Sequence, residues 1–151
     1  MIIKSLEHLR LVSKKIADNI SENDCIFLVG EIGVGKTTFT RNLINYLQEK
    51  KGIKLTEVLS PTFNLLYEYD IKNFKIMHYD LYRIKNSKEL HQLGIFNEST
   101  NSIKIIEWPQ LVEISVDDRL EIHLSYSENE NERKLFFKGT GKWQELKLHE
   151  L

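Results

Sequence analysis

Eight consecutive residues, Gly30-Glu31-Ile32-Gly33-Val34-Gly35-Lys36-Thr37, have the spacing G-x-x-x-x-G-K-T. Glycines at these positions let the backbone turn without Cβ clashes, so successive N–H groups can face a common point. A helix starting after Gly35 would add unpaired N–H groups and the positive end of its dipole. Lys36 would bring a mobile positive charge to the β- and γ-phosphates of a nucleotide, and the Thr37 hydroxyl could join the coordination shell of Mg²⁺. The apolar run Cys25–Val29 before the motif and the helical spacing of Phe39, Leu43, Ile44 and Leu47 after it supply the strand and helix this chemistry needs.

Magnesium also needs an acid, and in such sites it stands at the end of an apolar strand. Two residues qualify: Asp80, which closes KIMHYD, and Glu107, which closes IKIIE. Spacing alone leaves both open as the metal anchor. His78 is two residues from Asp80, so on a strand both face one side of the sheet; we read His78 as structural. Arg83 follows on the same segment and has two readings, neutralising charge on a transferring phosphoryl group or making a surface ion pair. His8, His91, His123 and His149 have no metal-like spacing.

The base-reading Asn-Lys-x-Asp of guanine-specific GTPases is absent, which favours ATP over GTP. The five arginines, Arg10, Arg41, Arg83, Arg119 and Arg133, form no cluster of the kind a kinase lid uses. Three functions stay open on the residues: a small regulatory ATPase, a P-loop kinase acting on a small molecule, and a nucleotide-dependent binding module with negligible turnover.

The elements that must position these groups fit one domain spanning residues 1–151. With 22 acidic against 21 basic residues, no global field attracts nucleic acid or a membrane. One cysteine excludes an internal disulfide and a cysteine-based zinc site. Met-Ile-Ile-Lys leads directly into an amphipathic pattern, so a soluble cytoplasmic protein is expected, with no membrane partner. Leu6, Leu9, Val12, Ile16 and Ile20 predict a helix over 6–19 with Ser5 as its cap. SPTFNLLYEYDI and FKIMHYDLYR read as strands of an antiparallel hairpin turning at DIKN. SKELHQLGIF reads as a short helix with Ser87 as its cap, in a Ser-x-x-Leu pattern rather than a full capping box, IKIIEW as a strand, and RLEIHLSYS with RKLFFKGTG as a second hairpin. Residues 142–151 are expected to form a last short helix. Together these elements predict an α/β fold, a mixed, mostly parallel sheet with added antiparallel hairpins and helices on both faces.

GEIGVGKTTFTR, SPTFNLLYEY, HYDLYR, LGI and IIEWPQ occur in that order, and the set resembles the TsaE family of small bacterial ATPases of tRNA threonylcarbamoyladenosine biosynthesis. The resemblance covers residues 25–126. It implies a three-layer P-loop NTPase fold, ATP or ADP with Mg²⁺, and the TsaB–TsaD heterodimer as protein partner, with tRNA reached only through that complex. It also implies slow ATP hydrolysis by the chain alone and no transfer of the threonylcarbamoyl group. By position, Thr37 and Glu107 would bind Mg²⁺, so the resemblance chooses Glu107 over Asp80. Ser60 and Thr62 would belong to a nucleotide-sensing switch and Asp80 to a second loop near the γ-phosphate. The candidate catalytic residues are thus Lys36, Thr62, Asp80 and Arg83. The candidate nucleotide contacts are Glu31, Ile32, Gly33, Val34, Gly35, Lys36, Thr37, Thr38, Asp80 and Arg133.

Overall fold

The Ser5 hydroxyl accepts a hydrogen bond from the His8 amide at 3.0 Å and starts helix α1, Leu6–Asn19, where the sequence places it. Its apolar stripe of Leu9, Val12, Ile16 and Ala17 is buried. Helix α2, Lys36–Lys50, packs beside it and buries Phe39, Leu43, Ile44 and Leu47. These features come from a computed structural model, which describes residues 1–97, 101–113 and 117–145.

Both helices cover one face of a seven-stranded sheet. Its strands are β1 (Ile2–Ile3), β2 (Cys25–Val29), β3 (Leu66–Ile71), β4 (Phe74–Asp80), β5 (Ser102–Glu107), β6 (Arg119–Tyr126) and β7 (Arg133–Gly139). Their order across the sheet is β1-β7-β6-β2-β5-β4-β3. The pairs β6–β2, β2–β5 and β5–β4 are parallel. The pairs β3–β4, β6–β7 and β1–β7 are antiparallel. The sheet is therefore mixed, with a parallel centre and hairpins added at both edges. The other face is more thinly covered. Helix α3, Ser87–Gln92, and a 3₁₀ turn at Pro109–Leu111 lie on this side, where Cys25, Phe27, Tyr79, Leu81, Leu90, Ile95 and Ile106 are buried.

The period of two along the strands sets what reaches the site. On β4, Ile76, His78 and Asp80 share a face, as do Ile103, Ile105 and Glu107 on β5. Both rows face the helix side, because Ile76, Ile103 and Ile105 pack in the core built by α1 and α2. The parallel register sets Asp80 opposite Glu107 at the carboxyl ends of the two strands.

Two local expectations need correction. The first six residues of SPTFNLLYEYDI are not strand; β3 begins at Leu66. Pro61 lacks an amide hydrogen for a ladder, and Leu65 is left-handed, with φ 65°. The cap of α3 is Asn86 rather than Ser87, with Asn86 Oδ1 accepting the Glu89 amide at 3.0 Å. Glu89 Oε2 in turn accepts the Lys85 amide at 3.0 Å, a close relative of the capping box. The expected last helix over 142–151 falls mostly outside the described residues, which end at 145 and hold a 3₁₀ turn at Gly141–Gln144. Strand β1 is an element the sequence reading did not include.

Candidate functional site

The chain leaves β2 through Gly30 and enters α2 at Gly35, whose φ of 118° is in the region that favours glycine. Gly30 is required for space as well: a Cβ there would lie 2.4 Å from the Leu124 carbonyl oxygen on β6. The N-terminus of α2 has no side-chain cap and no acid in its first turn. Its dipole and leading amides are thus not neutralised by an acidic side chain of their own turn.

Lys36, at the start of α2, is 5% exposed. Its Nζ donates to the carbonyls of Gly30 and Glu31, both at 2.8 Å, and lies 4.3 Å from the centre of the Trp108 ring. Burial pushes its ammonium below the usual lysine range, opposed by the nearby Glu107 and Asp80 carboxylates. The lysine thus holds its own loop closed.

Thr37 Oγ1 donates to Glu107 Oε1 at 2.9 Å. The same carboxylate oxygen is 2.9 Å from His78 Nε2. Asp80 is engaged differently. Its Oδ2 accepts from Thr62 Oγ1 at 2.7 Å and Ser60 Oγ at 3.1 Å, and its Oδ1 accepts from the Tyr82 amide at 3.0 Å. Ser60 Oγ and Thr62 Oγ1 lie 2.7 Å apart beside that oxygen. The loop carrying them is pinned further back. Gln48 is buried, and its side chain pairs with the amide and hydroxyl of Thr56; the Val58 carbonyl accepts from Arg41 Nε at 3.1 Å. The Ser60–Thr62 segment therefore has a clamp within the chain, which the sequence did not reveal.

A cleft of about 280 Å³ is lined by Ile32, Gly33, Gly35, Lys36, Thr37, Thr38, Ser60, Thr62, Asp80, Tyr82, Glu107 and Trp108. Most of the sequence-derived site residues meet here. Glu31 is exposed and contributes its carbonyl, while Val34 is buried and its amide closes the loop onto the Glu31 carbonyl at 3.3 Å. Arg83 is not among the residues lining the cleft; its guanidinium lies 5.2 Å from the Phe63 ring centre. Arg133 lines a neighbouring cleft with Ile3, Ser5, Leu6 and Leu9. That cleft shares Gly33, Gly35 and Thr38 with the first. Arg133 donates to the carbonyls of Glu130 and Glu132 and lies 4.6 Å from the Tyr126 ring centre.

Trp108 and Tyr82 are lining residues the sequence reading left unassigned. Trp108 follows β5 in a left-handed conformation, φ 58°, and its ring is 4.9 Å from that of Tyr82. The available signal was the aromatic residue between a strand-ending acid and a proline.

Among the described residues no group of three or more histidine, cysteine, aspartate or glutamate side chains could hold a metal alone. The donors at the cleft, a threonine hydroxyl and a carboxylate, fit Mg²⁺ instead, which keeps several waters and takes one or two protein oxygens together with phosphates.

The model of a family described as "Threonylcarbamoyl adenosine biosynthesis protein TsaE" matches residues 3–135. The chain belongs to the TsaE family of tRNA threonylcarbamoyladenosine biosynthesis proteins. It is 34% identical to the protein of that name from Rickettsia conorii over 128 residues, 84% of this chain and 71% of the other. Against the Bacillus subtilis protein the identity is 28% over 147 residues, covering 96% and 88% of the two chains. The fold is similar to the crystal structure of Bacillus subtilis YdiB, with a TM-score of 0.70, 26% identity, and coverage of 99% of this chain and 90% of that one. No helix among the described residues is long and apolar enough to cross a membrane.

Proposed function

We propose that this chain binds ATP with Mg²⁺ and hydrolyses it to ADP and phosphate. It would act in the cytoplasm as the ATPase subunit serving a TsaB–TsaD heterodimer in threonylcarbamoyl modification of tRNA adenosine. It meets tRNA through that complex and does not transfer the group itself. We read its architecture as a three-layer P-loop NTPase fold. The observation that carries the proposal is the Thr37–Glu107 hydrogen bond beside Lys36, at the foot of a helix with no side-chain cap.

Lys36 exchanges the Gly30 and Glu31 carbonyls for the β- and γ-phosphates, which restores the solvation that burial takes from its ammonium. The Thr37 hydroxyl has one hydrogen and two lone pairs, so it can keep donating to Glu107 while presenting a lone pair to the ion. Bound Mg²⁺ supplies charge neutralisation on the phosphates as the terminal phosphoryl group departs. The neighbouring cleft, with Ile3, Leu6 and Leu9 on one wall and Ser5, Glu130, Asn131 and Arg133 beside them, offers a mixed apolar and polar place for the nucleoside end.

Slow turnover by the isolated chain follows from Asp80. Its Oδ2 is covered by the Ser60 and Thr62 hydroxyls and its Oδ1 already accepts the Tyr82 amide, so the Ser60–Thr62 segment occupies the oxygen that would otherwise orient a water. A partner that draws the Ser60–Thr62 segment away would release Asp80 and bring Arg83 off the Phe63 ring. The test is phosphate release by the purified chain alone and with purified TsaB–TsaD. A low rate that changes when the heterodimer is added supports the proposal. An unchanged rate contradicts it, and phosphorylation of a metabolite in place of phosphate release moves the reading to a kinase.

A further inference from the structure

His78 is fully buried on β4, with 0% exposure, and it faces the side of the sheet that packs on α1 and α2. Its strand neighbour on that face is Ile76, and Ile103 and Ile105 occupy the same layer on β5. An aliphatic side chain would satisfy packing there. The imidazole instead spends Nε2 on Glu107 Oε1 at 2.9 Å, while Nδ1 has no hydrogen-bond partner among the described residues. A carboxylate oxygen only accepts, so Nε2 carries the hydrogen.

The register makes this contact possible. His78 pairs with Ile105, and Glu107 is two residues further along β5 on the same face, a diagonal neighbour within reach of a long side chain. Oε1 of Glu107 therefore receives two donors, one from the sheet (His78) and one from the first turn of α2 (Thr37). The two together fix which carboxylate oxygen faces Thr37 and leave Oε2 for the cleft.

We propose that His78 is a positioning residue for the magnesium site: its Nε2–H locks the Glu107 carboxylate so that Thr37 keeps its hydrogen on Oε1 and its lone pair toward the ion. This rests on the Mg²⁺–nucleotide reading given above. Without the imidazole, Glu107 can turn about its side-chain bonds, and Thr37 loses the acceptor that orients its hydroxyl. Losses of partners behind metal ligands typically cost about 10–100-fold in metal affinity. Phosphate contacts made by Lys36 and the loop are untouched by the change.

The experiment compares wild type with His78→Leu and His78→Gln. It reads ADP affinity by calorimetry with Mg²⁺ and with EDTA, and Mn²⁺ bound to the protein–ADP complex by electron paramagnetic resonance. Glutamine can place an amide nitrogen near the position of Nε2, whereas leucine fills the space without a donor. The expected result is that His78→Leu keeps ADP affinity in EDTA within about two-fold of wild type and loses about ten-fold or more of Mn²⁺ affinity. His78→Gln should recover most of that loss. If leucine does not fold there, His78→Asn, whose amide stops short of Glu107, serves in its place with the same expectation. Wild-type Mn²⁺ affinity in a folded His78→Leu or His78→Asn overturns the positioning role alone. Absence of any metal effect on ADP binding by the wild type overturns the nucleotide reading and this role with it.

Discussion

Asp24, just before β2, and Asp80 and Glu107, at the carboxyl ends of β4 and β5, are the acids buried among the described residues, and their surroundings differ. Asp24 has a permanent cation: Lys142 Nζ lies 2.6 Å from its Oδ2, which also accepts the Ser21 amide at 2.8 Å. This pair ties the segment after β7 to the start of the central strand. Asp80 is held by two hydroxyls and an amide, and Glu107 by a hydroxyl and an imidazole. The nearby ammonium, Lys36, gives its hydrogens to loop carbonyls instead. A buried carboxylate with its own countercharge is complete as it stands. Carboxylates held in place by hydroxyl, amide and imidazole donors keep an attraction for a cation that arrives later.

The comparison predicts what removing each acid does. Glu107→Gln should have the largest effect, a loss of Mg²⁺-dependent hydrolysis of about 100-fold or more, as expected when a metal-site carboxylate is neutralised. ATP binding in EDTA should be nearly unchanged, since Lys36 and the loop remain. Phosphate release across a Mg²⁺ titration checks this. If Asp80→Asn, and not Glu107→Gln, removes the metal dependence, the roles of the two acids are exchanged.

Asp80→Asn should act through the loop. The amide replaces one acceptor oxygen by a donor, so it cannot receive both hydroxyls and the Tyr82 amide. Hydrogen exchange in residues 59–65 should quicken while the Mg²⁺ effect on ATP binding persists. Unchanged exchange in that segment would show that Asp80 does not clamp it.

At the opposite end of the sheet, Lys142→Met should leave nucleotide binding alone and lower stability by about 2 kcal/mol near neutral pH, the scale for a charged group losing its partner. Burial raises the Asp24 carboxyl above its ordinary range even with Lys142 beside it. Relative to the unfolded chain, folding therefore favours the protonated form, because the Lys142 pair offsets only part of the cost of burying the charge. Its contribution is fully present below the unfolded pKa and is lost as pH rises through the folded value. Removing Lys142 raises that folded value further, so the destabilisation should shrink on acidification. Cys25 offers a probe: burial pushes its thiol up to about 12, and its alkylation should report opening of the fold. A loss of stability equal at acid and neutral pH would assign Lys142 a packing role only.

The contrast between the two ends was partly legible in the sequence. The glycine-rich loop between β2 and α2, helices α1 and α2, and the two strand-ending acids follow from spacing and periodicity. Their register does not: that Asp80 sits opposite Glu107 depends on long-range pairing of β4 with β5. The Ser60–Leu65 segment read as strand because its apolar and aromatic residues mimic one, while hydroxyl bonds to Asp80 and a left-handed Leu65 decide otherwise. Asn86 and Ser87 are both good caps, and the spacing to Glu89 selects the first. Strand β1 has two residues, too few for any period to show. Lys142 lies 118 positions from Asp24, and only the folded chain joins them.

The most direct test of the account is calorimetric titration of ATP into the wild-type chain and Lys36→Ala, each with Mg²⁺ and with EDTA. Wild-type ATP affinity should rise when Mg²⁺ is present, and folded Lys36→Ala should bind ATP at least about ten-fold more weakly, the loss of a charge-assisted contact to phosphate. Equal affinity in Mg²⁺ and EDTA, together with undiminished binding by Lys36→Ala, would contradict a site built to receive a magnesium–triphosphate pair.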